Sequence, residues 1–88
     1  MSAQLSIVAS TPERPSARAS RLMAEARAAA REQVAVLEQA MADVIALANE
    51  IGDGGDAYSP GARDLCRRLA EEVAQRGQTL GAIVRSSY

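Results

Sequence analysis

Apolar residues recur at Ala30, Val34, Leu37, Met41, Val44, Ala48 and Ile51, with spacings that alternate between four and three. That is the period of a heptad seam, in which one narrow stripe of a helix meets another helix. A second stripe of the same kind runs through Ala62, Cys66, Leu69, Val73, Gly77, Leu80 and Val84. Between them lies IGDGGDAYSP, residues 51 to 60, where glycines, aspartates and a proline interrupt both patterns. The pattern predicts an all-α protein, an antiparallel helical hairpin of two long helices.

Local signals set the expected bounds. Residues 1–15 contain Pro12 and Pro15 and no helical period, so they read as a flexible N-terminal tail. LSIV at 5–8 has β character but no partner strand. The first helix is expected over about 16–51, with Ser16 as its N-cap and Gly52 as its stop. The second is expected over about 60–86. Ser59 caps it, and Pro60 takes the first helical position, where an N–H has no partner anyway. The loop is then 52–59, and residues 16–88 form one unit.

Running the loop straight back places Ala48 beside Ala62, Met41 beside Leu69 and Val34 beside Gly77, and ends the second helix near residue 25. A shift of one heptad would match the apolar pattern almost equally well, so loop length has to choose the register. Charge favours the antiparallel pairing. Residues 1–31 hold five Arg against two acids, residues 32–56 hold six acids and no Arg, and residues 57–88 hold five Arg against three acids. In this register Asp43 lies near Arg67 and Arg68, and Glu50 near Arg63. Gly77, unfavourable inside a helix, reads as a point of close backbone approach.

One Ala-rich seam is a small core for 88 residues, of which 19 are Ala, with no Phe or Trp and a single cysteine that rules out an internal disulfide. Leu22, Val36, Ile45, Leu47, Leu65 and Ile83 fall outside the seam. They are the expected surface of a homodimer, two hairpins forming a four-helix bundle. The core expected of hairpin and dimer together is Val34, Leu37, Met41, Val44, Ile45, Leu65, Leu69, Val73 and Leu80.

Candidate chemistry changes little. The glycine-rich loop lacks the preceding strand and the Lys of a phosphate-binding loop, because the chain has no Lys. It also lacks the alternating oxygen ligands of a calcium-binding loop: counting from Asp53, the third and fifth positions are Gly55 and Ala57. It reads as a turn kept hydrated by Asp53 and Asp56. There is no His, which removes the commonest metal ligand and general base. Cys66 falls on the seam, the usual place of a small buried thiol.

These features predict a protein that is not an enzyme and uses no cofactor or metal. The longest apolar run, Val44 to Ala48, is far too short for membrane insertion, and a soluble cytoplasmic protein is expected. The expected function is that of a small adaptor or regulator acting through helix–helix contacts, as a homodimer that also binds a further protein. Arg18, Arg21, Val36 and Leu47 are the candidate partner-binding residues. The alternative is a DNA-associated regulator that presents Arg18, Arg21, Arg27 and Arg31, at the start of the first helix, to phosphates.

Overall fold

A computed structural model describes residues 12–87. Helix α1 spans Pro15–Gly52 and helix α2 spans Pro60–Ser87; the two pack against each other as an antiparallel hairpin. No strand occurs among the described residues, and LSIV and most of the expected tail lie outside them.

Helix α1 begins two residues earlier than a cap at Ser16 implies. Pro15 takes the first helical position, Arg14 stands at the N-cap without a side-chain hydrogen bond, and Ser16 lies inside the helix. Proline's fixed φ and missing N–H suit that position, so no polar cap is needed there. At the other end the Asp53 N–H donates to the Asn49 carbonyl and the Gly54 N–H to that of Ile51. A single 3₁₀ turn, Gly55–Ala57, follows, and Gly55 adopts a φ of +72°. The Tyr58 ring occupies the space that a side chain on Gly54 would need. Ser59 caps α2: its Oγ accepts from the Ala62 N–H at 3.2 Å.

This folded loop corrects the register. Gly52 faces Arg63 and Arg67, Met41 faces Gly77, and Glu38 faces Gly81. The helices are therefore paired about one heptad away from the straight-loop alignment, because the turn carries the start of α2 beyond the end of α1. Gly77 lies by Met41 rather than Val34. At this register α2 ends level with about residue 31, and about four turns of α1, some 24 Å, project past it.

The seam is also rotated. Its most covered positions are Ala48 and Gly52 on α1 and Ala70 and Gly81 on α2, flanked by Val34, Met41, Ile45, Cys66, Val73 and Leu80. Ile45 thus belongs to the seam. Leu37, Val44 and Leu69, expected there, lie beside it with 51%, 39% and 41% exposure, and Leu65 is further out. The cause is residue size: the helices approach most closely along the line of Ala and Gly, and the large side chains are left at the flank.

The charge pattern acts differently from the expectation too. Among the described residues no ion pair joins α1 to α2: Arg68 bonds Asp64 and Arg76 bonds Glu72 within α2, while Asp43 accepts from Gln39 within α1. What α2 brings to α1 is Arg63 and Arg67 at its C-terminal end, where α1 has no basic residue of its own. Cations are favourable beside the negative end of a helix dipole.

Candidate functional site

With α1 and α2 placed, the side chains that packing has not used can be mapped. A helix turns 100° per residue, so Leu22, Val36, Leu37, Val44 and Leu47 occupy one sector of α1 about 100° wide, adjoining the seam. Leu65, Leu69 and Ile83 occupy the matching sector of α2. Leu37, Val44 and Leu69 line the same groove, of about 610 Å³, which puts both sectors on one side of the hairpin. Eight large apolar residues, each at least 39% exposed, therefore share one face. The opposite face carries Arg31, Ala35, Ala42, Arg67, Glu71 and Gln78.

On α2 two charged residues break this apolar face, Glu72 and Arg76, which also line the groove. They stand one turn apart at mid-length of α2 and form a loose pair at 3.9 Å. Neither lies on the apolar stripe of the second helix. The available signal is that they fill the gap between Leu69 and Leu80 in the sequence of outward positions Leu65, Leu69, Glu72, Arg76, Leu80 and Ile83.

The candidate partner-binding residues divide into two places. Val36 and Leu47 lie on the apolar face, 64% and 59% exposed. Arg18 and Arg21 lie on the projecting part of α1, together with the exposed Leu22 and Met23. Arg21 is engaged: its Nε and Nη2 donate to the two oxygens of Glu13 at 3.1 and 3.0 Å, and its Nη1 donates to Glu25 at 3.2 Å. Glu13 first, and then Glu25, raise the Arg21 guanidinium above its ordinary pKa. A guanidinium chelated by one carboxylate and bonded to a second has little left for a phosphate. Arg18 forms no ion pair among the described residues.

The turn does not assemble a ligand cage. Asp56 meets Arg63 at 3.8 Å, and no group of three or more potential metal-binding side chains occurs among the described residues. Cys66 is half-buried in the seam. No helix is long and apolar enough to cross a membrane.

No protein-family model, characterised protein or solved structure matches this chain. The functional reading therefore rests on its own residues.

Proposed function

We propose that the chain is a non-enzymatic helical interaction protein, an adaptor or regulator, that works as a homodimer in which two hairpins join through their apolar faces into a four-helix bundle. One observation carries this reading. Ala48 and Ala70 are the only buried hydrophobic residues among those described, no large side chain is fully buried, and the large aliphatic residues collect on one outer face. A hairpin in which the only fully covered apolar side chains are two alanines, and the seam side chains around them are half-buried, leaves large aliphatic residues in water, and covering that face supplies further burial. A contiguous apolar face of this kind marks an interaction surface. In the bundle the projecting ends of α1 remain outside, leaving Leu22 and Met23 available to a further protein.

Mass in solution tests the proposal. At micromolar concentration the wild type should sediment at twice 9.2 kDa or more. Val36→Asp with Leu47→Asp should lower that mass, because a charge would enter the dimer surface without touching the seam. A well-folded wild-type monomer would overturn the homodimer. The DNA-associated alternative gains no support from Arg21, which Glu13 and Glu25 occupy. Duplex DNA binding is expected to stay in the nonspecific range, about 10⁻⁴ to 10⁻⁶ M at physiological salt. Nanomolar binding abolished by Arg18→Glu with Arg21→Glu would restore that alternative.

A further inference from the structure

The apolar face carries opposite charges on its two outer edges, and they stand at one height. The outer edge of α1 holds Val36 and, seven residues on, Asp43; that of α2 holds Arg76 and, seven residues on, Ile83. A heptad returns to within about 20° of the same direction on a helix, so each couple lies along one edge. Glu38 faces Gly81 across the seam, and counting from there along the antiparallel helices puts Val36 level with Ile83 and Asp43 level with Arg76. Counting from Met41 opposite Gly77 moves either match by one residue, about 1.5 Å. Within one hairpin the two edges lie on opposite sides of the face, and these residues do not meet.

Resting on the reading of this face as a dimer surface, we infer that the partner is a second copy turned about an axis that runs along the bundle, so that each α2 lies antiparallel on the partner's α1. Rotation about an axis parallel to the helices moves nothing along them. The partner's α2 therefore stands beside α1 at the same height as the chain's own α2, and the register of the hairpin becomes the register of the dimer. Outer edge then meets outer edge. Val36 meets the partner's Ile83 and Asp43 the partner's Arg76, while Leu47 packs within a turn of the partner's Leu69. The twofold makes each contact twice. Both charged groups are free to take part: Asp43 gives one oxygen to Gln39 and keeps the other, and Glu72 holds Arg76 only at 3.9 Å, leaving guanidinium donors for a second carboxylate.

The wider charge pattern selects the same axis. Residues 32–56 hold six acids and no Arg, whereas residues 57–88 hold five Arg against three acids. An axis across the hairpin would lay α1 on the partner's α1 and stack the acidic stretch on itself, with Asp43 near its middle. The axis along the bundle sets that stretch against α2, and it brings Glu50 to the height of Arg68 as well. Like charges opposed across an interface suppress association, and complementary charges fix its alignment.

Two measurements on the full chain test the axis. With Cys66→Ser and Ala24→Cys, spin labels sit on the projecting parts of α1. The axis along the bundle sends both projections out of the same end, at opposite corners, and the labels should lie under about 35 Å apart, given interaxial distances of about 8–10 Å. An axis across the hairpin sends them in opposite directions and gives about 60 Å at about 1.5 Å per residue. The longer distance would overturn the inference.

Charge reversal tests the contact itself. Asp43→Arg sets arginine against the partner's Arg76, and Arg76→Glu sets glutamate against the partner's Asp43, so each variant alone should raise the dimer Kd by about fivefold to tenfold in sedimentation equilibrium. The double variant, and an equimolar mixture of the two single ones, should return to within about threefold of wild type, because opposite charges face each other again at both sites. In the mixture each chain still carries like charges at its own positions 43 and 76, so recovery there reports the contact between copies. A double variant no tighter than the single ones would overturn the axis along the bundle and leave the dimer in place. A monomeric wild type would overturn dimer and axis together.

Discussion

The point where a Cβ on Gly77 would sit lies 3.6 Å from the Cε of Met41, an ordinary van der Waals distance. The seam therefore has room for a methyl group here, and the glycine is not required by close approach. Gly77→Ala should stabilise the hairpin by about 0.5–1 kcal/mol, through helix propensity and a smaller unfolded-state entropy. Urea denaturation at fixed protein concentration would measure it. No change or a loss would show that the helices come closer than this geometry has them.

Gly52 is the opposite case. A Cβ there would stand 2.8 Å from the Arg67 Cγ, near the root of that side chain, with the Arg63 carbonyl at 3.6 Å. Gly52→Ala is expected to cost about 1–3 kcal/mol by overpacking. The same denaturation series on both glycine variants should give shifts of opposite sign.

Within the turn, Gly55 is the residue with positive φ, and space around it is open. The cost of a side chain there is conformational alone, so Gly55→Ala should lose about 1–2 kcal/mol. Gly55→Asn should lose less, since Asn tolerates the left-handed region. Equal losses in the two variants would mean that the backbone leaves this conformation in solution.

Ser59→Ala removes the acceptor of the Ala62 N–H and is expected to cost about 1 kcal/mol. Ser59→Asp should keep most of the cap. Hydrogen exchange at the Ala62 amide gives a local reading, and protection there should fall in the alanine variant and persist in the aspartate one.

Asp53 and Asp56 should leave the thermal midpoint insensitive to calcium, magnesium and chelators. Asp56 pairs loosely with Arg63, and among the described residues no group of three or more acidic, His or Cys side chains forms at the turn. A shift of several degrees with metal that vanishes in Asp53→Asn with Asp56→Asn would show that the turn closes on a cation.

The two-helix architecture was legible because the signals were local. Spacings of four and three named the helices, and Ser59 with Pro60 marked the start of α2. The register was not, because a heptad pattern is indifferent to a shift of seven and the choice fell to a turn held by backbone hydrogen bonds and the Tyr58 ring. The rotation of the seam was obscured by a related ambiguity: Leu37, Val44 and Leu69 fit a heptad stripe as well as Ile45, Ala48 and Gly52 do. Hydrophobicity ranks the leucines first, whereas close packing of two helices favours the small residues. The chelation of Arg21 by Glu13 has no helical spacing to announce it, since Glu13 precedes α1 and its side chain reaches eight residues along.

The projecting end of α1 has a kinetic consequence. A free helix of this length in water is marginal because its first turn must nucleate at a loss, but this one grows out of a paired segment in which nucleation has already happened. It should melt as a zipper from Pro15 inward, with amide exchange slowing turn by turn toward residue 31 in place of one cooperative step. Salt that weakens the exposed Arg21 pairs should move the melting point of that zipper along the helix. A protein seizing Leu22 and Met23 would then meet a surface already helical, and its hold would set how many turns of the arm stay wound.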